Sequence, residues 1–131
     1  MAEKQQILIV EDDTEIRETL FQHLLNEGYD VRTAANGNEA IPLIHGRSYQ
    51  AIILDLKMPY IDGFGVLQFV KATYPQTKVI ILTAYGDMRN TEKCRAMGAD
   101  EIIDKPYDLE YLFFRLKDLM EVPCCPQRER G

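Results

Sequence analysis

Short apolar runs punctuate this chain at Ile7-Leu8-Ile9-Val10, Ala51-Ile52-Ile53-Leu54 and Val79-Ile80-Ile81-Leu82. Each is too short for a helix and rich in β-branched residues. Each therefore predicts a strand covered on both faces, because a half-exposed strand would alternate with polar positions. Together with two weaker patterns, they predict strands near 7–10, 30–34, 51–54, 78–82 and 101–103. Apolar positions at helical spacing predict helices near 14–27, 38–46, 63–74, 87–97 and 108–121. Ile16, Leu20 and Leu24 share one face of the first helix, which Gly28 stops. The second begins at the turn Asn36-Gly37, with Asn38 as its cap and Pro42 near its first turn. Phe64, Leu67 and Val70 face inward on the third, which Tyr74-Pro75 ends. The fourth closes at Gly98. Asp108 caps the fifth, whose stripe is Leu109, Leu112, Phe113, Leu116 and Leu119, while Tyr107, Tyr111 and Phe114 fall on its other side, where an aromatic either packs at the helix edge or, exposed, offers a partner surface.

Strands alternating with helices predict an α/β fold, a parallel sheet with helices on both faces. Ligands of such sheets bind beyond the carboxyl ends of the strands, where the strand order reverses. If the order is 2-1-3-4-5, that crevice lies between the first and third strands.

Composition narrows the picture without changing it. A chain of 131 residues is one domain with room for a real core. Its formal net charge of −6 disfavours direct, nonspecific nucleic-acid binding, which needs a basic face. No apolar run reaches the length of a membrane span, and the residues before the first strand carry no secretion signal. The three cysteines, Cys94, Cys124 and Cys125, form no disulfide framework, which fits a cytoplasmic protein. The expected organisation is a domain over 1–121 and a linker or disordered tail over 122–131, with Cys124 and Cys125 as unpaired tail thiols.

The chemistry lies where the apolar runs stop. The first runs into Glu11-Asp12-Asp13, the third strand into Asp55, the fourth into Thr83, and the fifth is followed by Lys105-Pro106. Three acids converging on one crevice repel one another, which recruits a cation or raises pKa values. An all-oxygen set suits Mg²⁺, which keeps several waters and accepts a phosphate oxygen. A calcium loop read from Glu11 fails, since Ile16 stands where glycine is required and Gln22 where the bidentate glutamate belongs. Zinc would want clustered Cys or His. With a cation bound, Asp55 can act as a carboxylate nucleophile toward a phosphoryl donor, with Lys105 as a point cation and Thr83 as a hydroxyl donor. Ala84 is small enough to leave the approach open. Asp13 reads as helix-start charge favoured by the macrodipole. His23 and His45 lie away from the rim and read as solvated.

These residues, together with Asp55-Leu56-Lys57-Met58-Pro59, Asp62-Gly63 and Thr83-Ala84, resemble a two-component response-regulator receiver domain over residues 6–121. The resemblance implies a flavodoxin-like fold: a five-stranded parallel sheet in the order 2-1-3-4-5, doubly wound with five helices. It implies a phosphoacceptor regulator that assists its own phosphorylation and dephosphorylation, and not a conventional enzyme. Asp55 would accept the phosphoryl group from a sensor histidine kinase or phosphotransfer protein. Mg²⁺ would be held by Asp12, Glu11 through water, Asp55 and the backbone carbonyl of Lys57, while Thr83 and Lys105 read the phosphoryl group. The fourth helix, fifth strand and fifth helix would meet a downstream protein or a second copy.

Two departures carry consequences. Glu11 replaces the commoner aspartate and still serves a metal. Ile102 occupies the family's usual aromatic switch position, so the Thr-to-aromatic rotation cannot occur in its usual form. Lys57 and Tyr85, two residues beyond Asp55 and Thr83, are bulky at positions that tune water access, and predict a long-lived phosphoryl group. Other readings fit less well. An aspartyl phosphatase of the haloacid-dehalogenase type wants an acid where Lys57 stands. A flavin carrier wants a Ser/Thr/Gly loop where Glu11-Asp12-Asp13 stands. A pseudo-receiver that only binds partners has no need of the full acidic set, although Ile102 is compatible with it.

Overall fold

The computed structural model describes residues 5–56, 63–84 and 87–121. The expectations placed on Lys57, Asp62, Tyr85, Cys124 and Cys125 lie outside the described residues. The elements run β1 (Gln6–Val10), α1 (Thr14–Asn26), β2 (Asp30–Ala34), α2 (Gly37–Gly46), β3 (Ala51–Asp55), α3 (Gly63–Thr73), β4 (Lys78–Ala84), α4 (Met88–Ala96), β5 (Glu101–Lys105) and α5 (Leu109–Glu121). The strands form one sheet in the order β2-β1-β3-β4-β5, every pair parallel.

The two-residue period of a strand sorts the apolar runs onto two faces. Leu8, Val10, Ile52, Leu54, Val79 and Ile81 face a layer made by α2, α3 and α4, and meet Ala40, Ile44, Val66, Leu67, Val70 and Cys94. Ile7, Ile9, Ile53, Ile80 and Leu82 face α1 and α5, and meet Leu20, Leu24, Leu112 and Leu116. Both faces being covered is why these runs are continuous rather than alternating. Each fully buried Leu or Ile contributes roughly 1.5–3 kcal/mol of transfer free energy. The rim therefore stands on a stiff platform.

Helix ends follow local chemistry. Asp13 caps α1, its carboxylate accepting from the Glu15 and Ile16 amides. Asn36, not Asn38, caps α2 by accepting from the Glu39 amide, and Glu39 reaches back to the Ala35 amide at 2.8 Å. Pro42 consequently sits in the second turn of α2 rather than near the first, on an exposed face. Gly28 and Gly98, at φ of +98° and +101°, provide the left-handed turns after α1 and α4.

The last helices need a correction. Tyr107 is half-buried and packs against the α1–α5 side of the core, because it precedes α5 and does not share its phase. Tyr111 and Phe114 are exposed, as expected. On α4, Cys94 is the buried residue, and Lys93 places its ammonium 4.1 Å from the ring centre of Phe64 on α3. His23 and His45 are exposed, each against a phenylalanine ring, Phe113 and Phe69 respectively.

Candidate functional site

The parallel registers place Val10 beside Leu54, Asp55 beside Leu82, and Ala84 beside Lys105. Glu11, Asp55, Thr83 and Lys105 thus gather at the carboxyl rim, although Lys105 lies 50 positions beyond Asp55 in sequence and Glu11 far before both. Glu11 is 1% exposed, while Asp55 and Thr83 are each 2% exposed. Asp12 is exposed at the mouth. One carboxylate oxygen from each of Glu11, Asp12 and Asp55 lies within 4.8 Å of the others.

Hydrogen bonds fix this geometry. Lys105 Nζ donates to Asp55 Oδ2 at 2.9 Å. The Asp13 amide donates to Glu11 Oε2 at 3.1 Å, so that this oxygen is held by the turn into α1. Glu11 Oε1 and Thr83 Oγ1 are buried with no protein partner. An unpaired buried polar atom costs free energy and calls for an explanation. Here one orphan acceptor stands in the acidic cluster and one orphan hydroxyl stands on the next strand, a donor set that fits a hard cation and an anionic ligand respectively.

Electrostatics agrees with the geometry. Burial first, and the neighbouring Asp55 carboxyl second, push Glu11 up from 4.5 to about 8; the Asp13 amide and Lys105 pull the other way. Burial also pushes the Tyr107 phenol up to about 12, and the charges of Glu11 and Asp55 add to it.

Behind the rim, the backbone is tightly packed. The Leu56 amide donates to the Leu82 carbonyl at 3.0 Å, and the Gly63 amide donates to the Leu56 carbonyl at 3.3 Å. A Cβ on Gly63 would stand 2.7 Å from Leu56 Cα, so only glycine lets α3 start this close to the strand that carries Asp55. Ile102 is half-buried beside Ile81 and packs against the α2–α4 side of the core.

Two contributions add to the expected set. The guanidinium of Arg17, on α1, donates to the Glu11 carbonyl at 2.8 Å. No motif marks it, since an exposed-looking arginine on a helix has no fixed partner in sequence. Asp13 is the α1 cap and not only favourable charge, which the succession Asp13-Thr14-Glu15-Ile16 does signal.

The sheet order and the acidic rim together define a CheY-like receiver domain. The chain belongs to the response regulator receiver domain family, whose model matches residues 7–117. Transcriptional regulatory protein TcrA of Mycobacterium tuberculosis is 36% identical over 128 residues, covering 95% of this chain and 51% of TcrA. A putative NtrX-like response regulator of Rickettsia typhi is 36% identical over 118 residues, 88% of this chain and 25% of its own length. The chain therefore spans about half or less of these curated relatives. Among solved structures, a CheY-like receiver domain protein from Methanospirillum hungatei aligns with a TM-score of 0.87 at 31% identity, over 91% of this chain and 95% of the other. The response regulator TrrA from Thermotoga maritima, solved in complex with Mg²⁺ and BeF, aligns with a TM-score of 0.79 at 36% identity, over 88% and 98%. The general role of the family is that of a phosphorylation-controlled switch in two-component signalling, and its members are signalling proteins rather than conventional enzymes. Receiver domains bind Mg²⁺ at an acidic pocket, which here corresponds to Glu11, Asp12 and Asp55. No helix among the described residues is long and apolar enough to cross a membrane.

Proposed function

We propose that this chain takes a phosphoryl group from a phosphohistidine donor onto Asp55. The observation that carries the reading is the pair of orphan buried atoms, Glu11 Oε1 and Thr83 Oγ1, flanking a carboxylate already paired with Lys105. Glu11, Asp12 and Asp55 would hold Mg²⁺, which would offset the negative charge of the acids and of an incoming phosphate. A carboxylate oxygen of Asp55 forms the new P–O bond as the P–N bond to the donor imidazole breaks, the bonding pair returning to that nitrogen. Lys105 turns from Asp55 toward a phosphoryl oxygen, and the Thr83 hydroxyl gains the partner it lacks at rest. Among the described residues, the exposed Asp12 marks a solvent-facing side of the cluster from which a donor can approach.

The donor is a sensor histidine kinase or a phosphotransfer protein. The output face is α4–β5–α5, where Met88, Tyr111 and Phe114 are exposed apolar side chains available to a downstream protein or a second copy. With Ile102 half-buried in place of an aromatic switch, readout runs through the Thr83 strand and α4. The test is incubation with a small acyl phosphate and Mg²⁺, followed by intact mass. One added phosphoryl group in the wild type and none in Asp55→Asn is expected. No gain in the wild type, or an equal gain in the variant, rejects the reading.

A further inference from the structure

Arg17 is the side chain that the chemistry above leaves unused and that still touches the acidic loop. It projects from α1, half-buried, and its Nη1 donates to the backbone carbonyl of Glu11 at 2.8 Å. That carbonyl belongs to the peptide joining Glu11 to Asp12, the two acids that the first strand delivers to the rim. The Arg17 amide meanwhile donates to the Asp13 carbonyl at 2.9 Å. The Asp13 carboxylate caps the Glu15 and Ile16 amides, and the Asp13 amide holds Glu11 Oε2. The turn from β1 into α1 is thus closed on itself. Arg17 pins the peptide plane that joins the two acids.

We propose that Arg17 is a positioning residue for cation binding: it orients the Glu11–Asp12 peptide so that the two carboxylates converge with Asp55. The inference rests on the cation-binding part of the reading above. It makes a prediction that runs against simple electrostatics. A guanidinium beside a cation site repels the cation, so removal of its charge should tighten Mg²⁺ binding if charge were its only contribution. If it positions, removal weakens binding, as the loss of groups that orient metal ligands does, by about tenfold or more.

The sign of the effect is therefore the test. Mg²⁺ is titrated at fixed ionic strength into wild type, Arg17→Met and Arg17→Lys, with affinity read from amide chemical shifts. Retained shift dispersion without Mg²⁺ establishes that each variant is folded. Arg17→Met is expected to raise the Mg²⁺ Kd about tenfold. Arg17→Lys, which keeps the charge but replaces the planar donor at the carbonyl, is expected to weaken binding as well, and it serves if the Met variant does not fold. An unchanged or tighter affinity in Arg17→Met, or wild-type affinity in Arg17→Lys, overturns the inference. Absence of Mg²⁺ binding in the wild type is a different result and rejects the cation site itself.

Discussion

Lys105 at the end of β5 reaches Asp55 at the end of β3 at 2.9 Å, passing over β4, which lies between them in the sheet. The pair bridges the strand that carries Thr83, so the three polar groups lie on adjacent strand ends. The Asp55 side chain is 3% exposed and that of Lys105 is 31% exposed. The acid is thus the enclosed partner of the pair and the lysine the more accessible one.

Glu11 makes the resting protein sensitive to pH. Its carboxyl is raised from 4.5 to about 8, so between those values the folded state holds a proton that the unfolded chain releases. The stability linked to this proton is full below the unfolded value and is lost as pH rises through about 8. Without Mg²⁺, Glu11→Gln should match the wild type in acid and exceed it in stability at alkaline pH. Urea unfolding across that range in the presence of a chelator checks this. A difference independent of pH would count against it.

Thr83 should show an exchange of stability for response. Its hydroxyl is buried and lacks a protein partner, so Thr83→Val removes a polar cost while keeping shape. The resting variant should be about 1 kcal/mol more stable. Its response to beryllofluoride, a phosphoryl mimic, should be weakened, as read from amide shifts along β4 and α4. A destabilised variant with an intact response would refute the assignment.

Gly63→Ala should damage both fold and site. The added methyl meets backbone, 2.7 Å from Leu56 Cα, and backbone yields less readily than a flexible side chain. Overpacking of this kind costs about 1–3 kcal/mol. Leu56 follows Asp55 directly, so phosphoryl uptake should slow as well. Denaturant unfolding and the rate of mass gain measure the two effects separately.

Lys71→Met is the contrasting case, a stability defect away from the rim. Lys71 Nζ donates to Asp100 at 2.8 Å and to the carbonyls of Thr77 and Pro75 at 2.9 and 3.4 Å. Its side chain is 16% exposed and that of Asp100 is 22% exposed, so the loss leaves a partly buried carboxylate without its cation, still accepting from the Val79 amide at 2.8 Å. We expect a loss of about 2 kcal/mol, with phosphoryl uptake unchanged in the folded variant. Equal defects in both measurements would show that this cluster is coupled to the site.

The sheet and the site were legible for one shared reason. Residues such as Ile53 and Ile80 have to be buried on both faces, and an acid such as Asp55 can follow such a run only where the strand ends. Order along the chain then placed Glu11, Asp55, Thr83 and Lys105 on one rim before any contact was known. Contacts that depend on side-chain reach were not legible. Arg17 bends back from α1 to a backbone carbonyl, and no spacing rule encodes that path. Asn36 displaced Asn38 as the α2 cap because Glu39 could close the turn around it. Tyr107 was assigned to the outer side by extending the phase of α5 past its first residue, where the backbone no longer follows that phase.

The composition of α4 has a consequence for where motion is cheapest. Met88–Ala96 carries three cations and buries Cys94, whereas α5 fastens itself with Leu112 and Leu116, and α3 with Val66, Leu67 and Val70. A helix hung on one sulfur and a ring–ammonium contact forfeits little apolar burial when it shifts, and local opening follows the lowest cost. The sheet is the firm platform, and α4, which follows β4 in the chain, is the helix whose displacement gives up less apolar burial than that of α3 or α5.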